Sequence, residues 1–153
     1  MDELEDLVDV VVVDPDWANV RAPRVSLERL EIRRARLTGA ELAEARFRDV
    51  VFEECRIDLA GLRNAQLERV VFRDCRMSEC ELYGASLKDV LFERCDLREA
   101  TFSGMTIQRV ELRGCDLTAA RGAEALRGAR MPWNDVIENA ALFAAVAGIE
   151  IVD

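Results

Sequence analysis

DVVFEEC at residues 49–55, RVVFRDC at 69–75 and DVLFERC at 89–95 are one motif written three times, each copy 20 residues after the last. A shorter repeat lies inside it. From Val25 to Ala119 the chain divides into nineteen consecutive five-residue units with no insertion or deletion. The third residue of each unit, its centre, runs from Leu27 and Ile32 through Phe47, Phe52, Phe72, Met77 and Phe92 to Leu112 and Leu117, and is large and apolar in all nineteen. The first residue is Ala, Val or Cys in seventeen of them, with Leu30 and Met105 in the other two, whereas only seven of the remaining 57 positions are apolar. A helix repeats every 3.6 residues and a strand every two, so neither produces this segregation. One large and one small side chain per unit pointing inward, with three polar ones outward, does produce it. Four units carry the chain once round, giving four-sided coils of 20 residues that stack at about the 4.8 Å strand spacing. Backbone hydrogen bonds then run from coil to coil. The small residue is required because four large centres already fill each layer.

Units such as Ala40-Glu41-Leu42, Cys95-Asp96-Leu97 and Cys115-Asp116-Leu117 resemble the A-(D/N)-L-x-x signature of the pentapeptide-repeat family, over at least 95 of the 153 residues. The resemblance implies an all-β solenoid, a right-handed quadrilateral parallel β-helix of pentapeptide repeats, with a C-terminal α-helical cap. Three segments follow: residues 1–24 as an acidic N-terminal segment and irregular first coil, 25–119 as the nineteen repeats, and 120–153 as the cap.

The 20-residue period lets the surface be read in columns. Arg29, Asp49, Arg69, Asp89 and Arg109 form one; Arg33, Glu53, Arg73, Glu93 and Arg113 a second; Glu28, Arg48, Glu68 and Lys88 a third. Each alternates in sign, so neighbouring coils attract, and the columns act as register ladders. A nucleic-acid site needs columns of one sign, so no direct nucleic-acid partner is expected. Four of the five cysteines, Cys55, Cys75, Cys95 and Cys115, share one inward column. A metal requires converging ligands, whereas this column points its side chains in parallel, and cysteines in the small-residue slot read as core filler. One column breaks the polar rule: Val51, Val71 and Leu91 stand outward between Glu31 and Glu111. Such a stripe either docks another segment of the chain, the valine-rich N-terminal stretch being the obvious one, or binds a partner.

A solenoid must cover both ends of its core. Read backwards in register, the N-terminal segment offers Val12, Trp17 and Ala22 as centres, interrupted by Pro15 and Pro23, with residues 1–6 expected to be disordered. After Leu117 the register slips: Gly122 falls on the next centre, and Leu126 and Met131 fit only after a one-residue shift. A helix is expected at about 134–147, started by Asn134 or the Met131-Pro132 pair and ended by Gly148, followed by a short strand at 149–151. Its apolar face is broader than a core lid needs. The resemblance extends to the helix-plus-strand caps through which some stand-alone family members dimerise, which implies a homodimer through Trp133, Ile137, Leu142, Phe143 and Val146.

Catalysis is not expected. The chain has no histidine, which removes the usual Ser–His and Cys–His pairs, and it lacks phosphate-loop and HExxH motifs. No cofactor or metal is implied. The start, MDELEDLVDVVVVDPDW, has no basic region of a secretory signal, and no stretch has the length of a membrane span, so a cytoplasmic location with reduced cysteines is expected. The resemblance also brings an alternative role, because some family members mimic DNA, bind DNA gyrase and protect it from fluoroquinolones. The net charge of −9 favours that role only until it is located. Residues 25–119 carry 18 acids and 16 bases, while residues 1–24 carry seven acids and two arginines. The repeats are nearly neutral, and a phosphate mimic needs acids spaced along the rod. The reading is therefore a scaffold or protein-interaction module whose partner is not identified, with gyrase inhibition as the alternative.

Overall fold

A large centre every five residues and a matching residue every twenty can be satisfied together only if each coil sits on the one before it. The computed structural model, which describes residues 3–153, has this arrangement. Six parallel strands lie in chain order in one sheet: β1 (Leu7–Val13), β2 (Ser26–Arg33), β3 (Arg46–Glu53), β4 (Gln66–Arg73), β5 (Ser86–Glu93) and β6 (Thr106–Arg113). Each pairs with the next 20 residues on, Val50 with Val70 and Phe72 with Phe92, so the fold is a parallel all-β solenoid of about five turns. On the other sides of each coil the contact narrows to single bridges, Arg36 on Arg56 on Arg76 and Glu41 on Gly61 on Glu81. There the chain turns sharply: Ala40 N–H donates to Leu37 O and Ala45 N–H to Leu42 O.

Every centre from Leu27 to Leu117 is buried except Ile107, which is only partly covered in the last coil, and every first-position residue from Val25 to Cys115 is buried. Like residues stack on like. The rings of Phe52, Phe72 and Phe92 lie face to face with centroids 5.0 and 5.1 Å apart and planes within 8°. The cysteine column is part of this core. Cys55, Cys75, Cys95 and Cys115 are free and buried, and their thiols donate to backbone carbonyls of Ile32, Phe52, Phe72 and Phe92 in the coil before. Burial pushes the Cys80 thiol up to about 12. Contact with the neighbouring thiols, and then burial, raises Cys75 and Cys115. These two and Cys80 therefore remain protonated.

The N-terminal segment is not the irregular coil that its prolines suggested. β1 pairs with β2 in the standard register, Val12 opposite Ile32, and the coil closes through Asp16–Arg36 and Arg21–Glu41 bridges. The prolines fit because the repeat does not use their missing donors. At the places of Pro15 and Pro23 in later coils, the N–H groups of Ala35, Cys55, Ala43 and Arg63 donate to no backbone carbonyl. Nor is residue range 1–6 disordered where it is described: Leu4 is buried against the end of the core and Asp6 Oδ1 accepts from Ser26 N–H at 2.8 Å. Met1 and Asp2 lie outside the described residues.

At the other end the expected helix of 134–147 is two short ones, α1 (Trp133–Glu138) and α2 (Ala140–Val146), after a 3₁₀ turn at Ala123–Leu126. Asn139 is the cause of the break. It is the one buried polar residue among those described. Its Oδ1 accepts from Leu117 N–H at 3.1 Å, while its Nδ2 donates to Asp135 O at 2.9 Å and to Cys115 O at 3.4 Å. Because Leu117 offers a donor and the other two offer acceptors, the amide has only one workable orientation. Asp135 Oδ2 accepts from Gly114 N–H at 2.7 Å, and Arg130 supplies a last bridge, donating to Val110 O and accepting from Leu112 N–H. The final coil therefore has its loose backbone groups taken up by the cap. Gly148, at φ 75°, ends α2 with Ile149 N–H on Ala144 O and Gly148 N–H on Ala145 O, the paired bonds of a Schellman stop. The strand expected at 149–151 does not form, because no neighbouring strand offers it hydrogen bonds, and Ile149 and Ile151 stand exposed.

Replacing Asn139 by Ala leaves a buried donor and acceptor of the last coil unpaired. Urea unfolding of Asn139→Ala is expected to show a loss of roughly 1–3 kcal/mol relative to the parent chain; an unchanged midpoint would rule out this role for the side chain.

Candidate functional site

Backbone geometry decides which side chains the surface presents. The fifth residue of every unit from Arg29 to Ala119 has positive φ, glycine or not. These residues form the corners of the coils, and their side chains carry the clearest coil-to-coil ion pairs. Arg34 meets Asp14 at 2.7 Å, Arg69 meets Asp49 at 2.6 Å and Arg94 meets Asp74 at 2.7 Å, each reaching back 20 residues. Arg29 and Arg109 hold Asp9 and Asp89 in the same way. The first of the three expected ladders thus forms, as discrete pairs rather than a continuous chain. The second forms cross-coil only between Arg73 and Glu93, at 2.9 Å, while Arg33 and Arg113 turn to Glu31 and Glu111 of their own strands. In the third, Glu28 and Glu68 pair sideways with Arg29 and Arg69 instead of with the next coil. Alternation is not universal: Arg36, Arg56 and Arg76 stack like on like, as do Asp96 and Asp116, and where Glu79 neighbours Glu99 the contact raises the Glu79 carboxyl above its usual value.

The Val51–Val71–Leu91 stripe is in register across β3, β4 and β5 and half-exposed. No segment of the described chain lies over it. The N-terminal valines, which could have done so, form β1 instead. Ion pairs frame the stripe: Glu31 with Arg33 and Glu111 with Arg113 and Arg130 at its ends, Asp49–Arg69 and Arg73–Glu93 along its sides. It spans three coils, about 10 Å at the usual strand spacing.

The five residues assigned to the C-terminal face divide into two groups. Trp133, Ile137 and Val146 are exposed, at 72, 54 and 45%, with Trp133 and Ile137 one turn apart on α1. Leu142 and Phe143 instead pack against the end of the core. Ile149 and Ile151, which strand periodicity had placed in a sheet, and Val152 beyond them add apolar exposure. Among the described residues no group of three or more Cys, Asp or Glu converges as metal ligands do, and no helix is long and apolar enough to cross a membrane.

A four-sided stack of 20-residue coils built from five-residue units defines a repeat class, and the comparisons identify its family. The family model described as "Pentapeptide repeat region" matches residues 25–102 and again 45–121. The chain belongs to the pentapeptide-repeat family. Among solved structures it is similar to HetL of Nostoc sp. strain PCC 7120, a pentapeptide repeat protein involved in heterocyst differentiation regulation, at 19% identity and TM-score 0.52 over 80% of this chain. That alignment spans 64% of HetL, under two thirds of its length. QnrB1, a plasmid-mediated fluoroquinolone resistance protein, aligns over 95% of this chain and 99% of its own at 15% identity and TM-score 0.37. A pentapeptide repeat protein of the Arabidopsis thaliana thylakoid lumen aligns over 84% and 75% at 14% identity and TM-score 0.37. At these identities the likeness concerns the fold. Among curated proteins none matches the chain.

Hydrogen bonds from Arg29, Arg34, Arg69, Arg94 and Arg109 hold Asp9, Asp14, Asp49, Asp74 and Asp89 below the ordinary carboxylate value of 3.8. A carboxylate whose folded value is depressed stabilises the fold fully above its unfolded value, and that contribution disappears as pH falls through the folded one. The thermal midpoint is therefore expected to hold down to about pH 5 and to fall progressively below about pH 4. A scan by circular dichroism checks this, and a midpoint that rises on acidification contradicts it.

Proposed function

We propose that the chain is a non-catalytic protein-interaction module, self-associating through its C-terminal face and presenting the framed stripe to a partner protein. The observation that carries the reading is the exposure of Trp133, Ile137 and Val146 beyond what closing the core requires, since Leu142 and Phe143 already do that. Large apolar residues left outward at the end of a finished core are characteristic of an interface. The absence of catalysis is supported by the state of the carboxylates. Asp9, Asp14, Asp49, Asp74 and Asp89 are hydrogen-bonded to arginines of adjacent coils, which lowers their pKa and makes them poor proton acceptors at neutral pH. A cytoplasmic setting suits the five buried free thiols.

Sedimentation at micromolar concentration tests the self-association. The parent chain is expected as a dimer and the Trp133→Glu, Ile137→Glu double variant as a folded monomer; a monomeric parent would falsify the C-terminal interface. The stripe is tested separately with Val71→Glu, which introduces the residue that Glu31 and Glu111 already carry in the same column and so leaves the fold intact. Capture of a specific protein by the parent and its loss with Val71→Glu is the expected result, and equal capture by both removes the stripe.

For the gyrase alternative the electrostatics are unfavourable. A mimic of the DNA backbone requires uncompensated negative charge along the rod, whereas the corner aspartates Asp9, Asp14, Asp49, Asp74 and Asp89 are matched by arginines one coil on. Excess protein is expected to leave gyrase supercoiling unchanged, and dose-dependent inhibition would reinstate the alternative.

A further inference from the structure

β1 differs from the other five strands in ways that together describe an unfilled position. It is one of the two edges of the sheet, with β2 on one side and no strand on the other, and unlike the other edge, β6, which is bridged by Arg130, it has no bridge on its free side among the described residues. In the second coil Arg36 N–H donates to Pro15 O and Glu41 N–H to Val20 O, but among the described residues the equivalent donors of the first coil, Asp16 and Arg21, meet no backbone carbonyl. The core is open there as well: Val10 is 40% exposed, whereas Leu30 and Val50 above it in the same inward column are at 4 and 0%. Leu7 and Val12 are likewise only partly covered. Outward, Val8, Val11 and Val13 stand exposed where β2 carries Glu28, Glu31 and Arg33. Sheet edges that are to remain free usually carry charges or proline to repel a further strand. β1 carries valine on both faces, the pattern of a strand covered on both sides. The opposite end of the rod makes the contrast plain, because Arg130, Asp135 and Asn139 close it.

Charge indicates what the position takes. In the corner column that begins at Asp9, sign alternates through Arg29, Asp49, Arg69, Asp89 and Arg109, and in the next it runs Asp14, Arg34, Glu54, Asp74, Arg94, alternating except between Glu54 and Asp74. One more strand continuing these ladders would place bases beside Asp9 and Asp14, five residues apart. Glu3, Glu5 and Asp6, which lead into β1, are exposed and add negative charge to this end. A second copy of the chain would bring an equally acidic edge. We propose that β1 is a docking edge for an extended basic segment of another protein, which adds a parallel strand beneath Leu7–Val13. Its apolar residues close over Leu7, Val10 and Val12, and its two Arg or Lys residues lie beside Asp9 and Asp14. Main-chain hydrogen bonds supply the pairing and the alternating side chains set the register, as in other strand-addition complexes. This surface is separate from the stripe and from the C-terminal face, so its test stands or falls independently of theirs.

The probe is a labelled synthetic peptide with the sequence of residues 25–36, VSLERLEIRRAR, which lies beneath Asp49 and Glu54 of β3 as the proposed segment would lie beneath Asp9 and Asp14 of β1. Titrated with the full chain, its anisotropy is expected to report saturable one-to-one binding, and hydrogen exchange of the β1 amides is expected to slow. Reversing both ladder arginines of the peptide to Glu should weaken binding about tenfold. So should Val8→Arg with Val11→Lys in the protein, which sets bases over Glu28 and Glu31 and therefore suits the fold while repelling a basic strand. No saturable binding, or binding indifferent to both changes, would overturn the proposal. Self-association of the parent chain that Val8→Arg with Val11→Lys abolishes would overturn it too, by making a second copy the occupant.

Discussion

Each coil passes its backbone hydrogen bonds to the coil twenty residues further on, and this one ladder governs the rest of the molecule. Because pairing is parallel and in register, residue n must tolerate residue n+20 as its neighbour. Inward, that requirement produces continuous columns of one chemistry: phenylalanine rings stacked through three coils, thiols through four. Outward, it would produce columns of like charge, which repel at strand spacing. Alternation of sign, or retreat to a partner in the same strand, relieves that repulsion in the corner and strand columns, while Arg36, Arg56 and Arg76 still stack like on like.

The ladder also imposes a conformational cost. A coil that turns its corner after five residues needs a left-handed residue at each corner, and an L side chain there costs about 1–2 kcal/mol relative to its preferred region. Glycine at Gly39, Gly84, Gly104 and Gly114 avoids the cost, but most corners carry Arg, Asp or Glu. The same left-handed turn aims those side chains along the rod, so the residues under local strain are the ones that reach the next coil. Individually such exposed pairs contribute little. The register itself is set by the apolar columns inside, where a slip would break the stacking of phenylalanine on phenylalanine.

The interior was legible in the amino-acid order because burial selects residue types directly: a period of five with a large and a small apolar position survives any choice of surface. The corners were not legible, since Arg34 or Glu54 has no compositional mark of positive φ. Pro15 and Pro23 misled for a related reason. Proline normally signals a break, yet here it occupies positions whose N–H the repeat never uses. Asn139 was hidden inside an apolar run that reads as one helix, and only its contacts with Cys115 and Leu117 reveal that the run is interrupted to close the coil. As for the candidate surfaces, the Val51–Val71–Leu91 column could be read by counting twenties. The split between Leu142 and Phe143 facing inward and Trp133 and Ile137 facing outward depends on that interruption, which shifts the phase of the second helix.

A ladder that runs in one direction has two chemically different ends, and this chain treats them differently. The coil bearing β6 meets a strand residue, a carboxylate and an amide, each matched to a specific free donor or acceptor, so that end is finished. The coil bearing β1 meets Leu4 over the core and the Asp6 carboxylate on one amide, and its own edge remains free. Valine at three of the four outward places of β1, Val8, Val11 and Val13, adds exposed apolar surface beside unpaired backbone groups, which an unpartnered rod has no physical reason to maintain. In the columns of Val8 and Val13 the following coils carry Glu28, Arg48, Arg33 and Glu53, so the fold itself does not require valine there, whereas the Val11 column carries Glu31 and then the Val51–Val71–Leu91 stripe. The asymmetry between the ends is therefore a property of this sequence and not of the repeat, and it separates this rod from a generic solenoid of the same length.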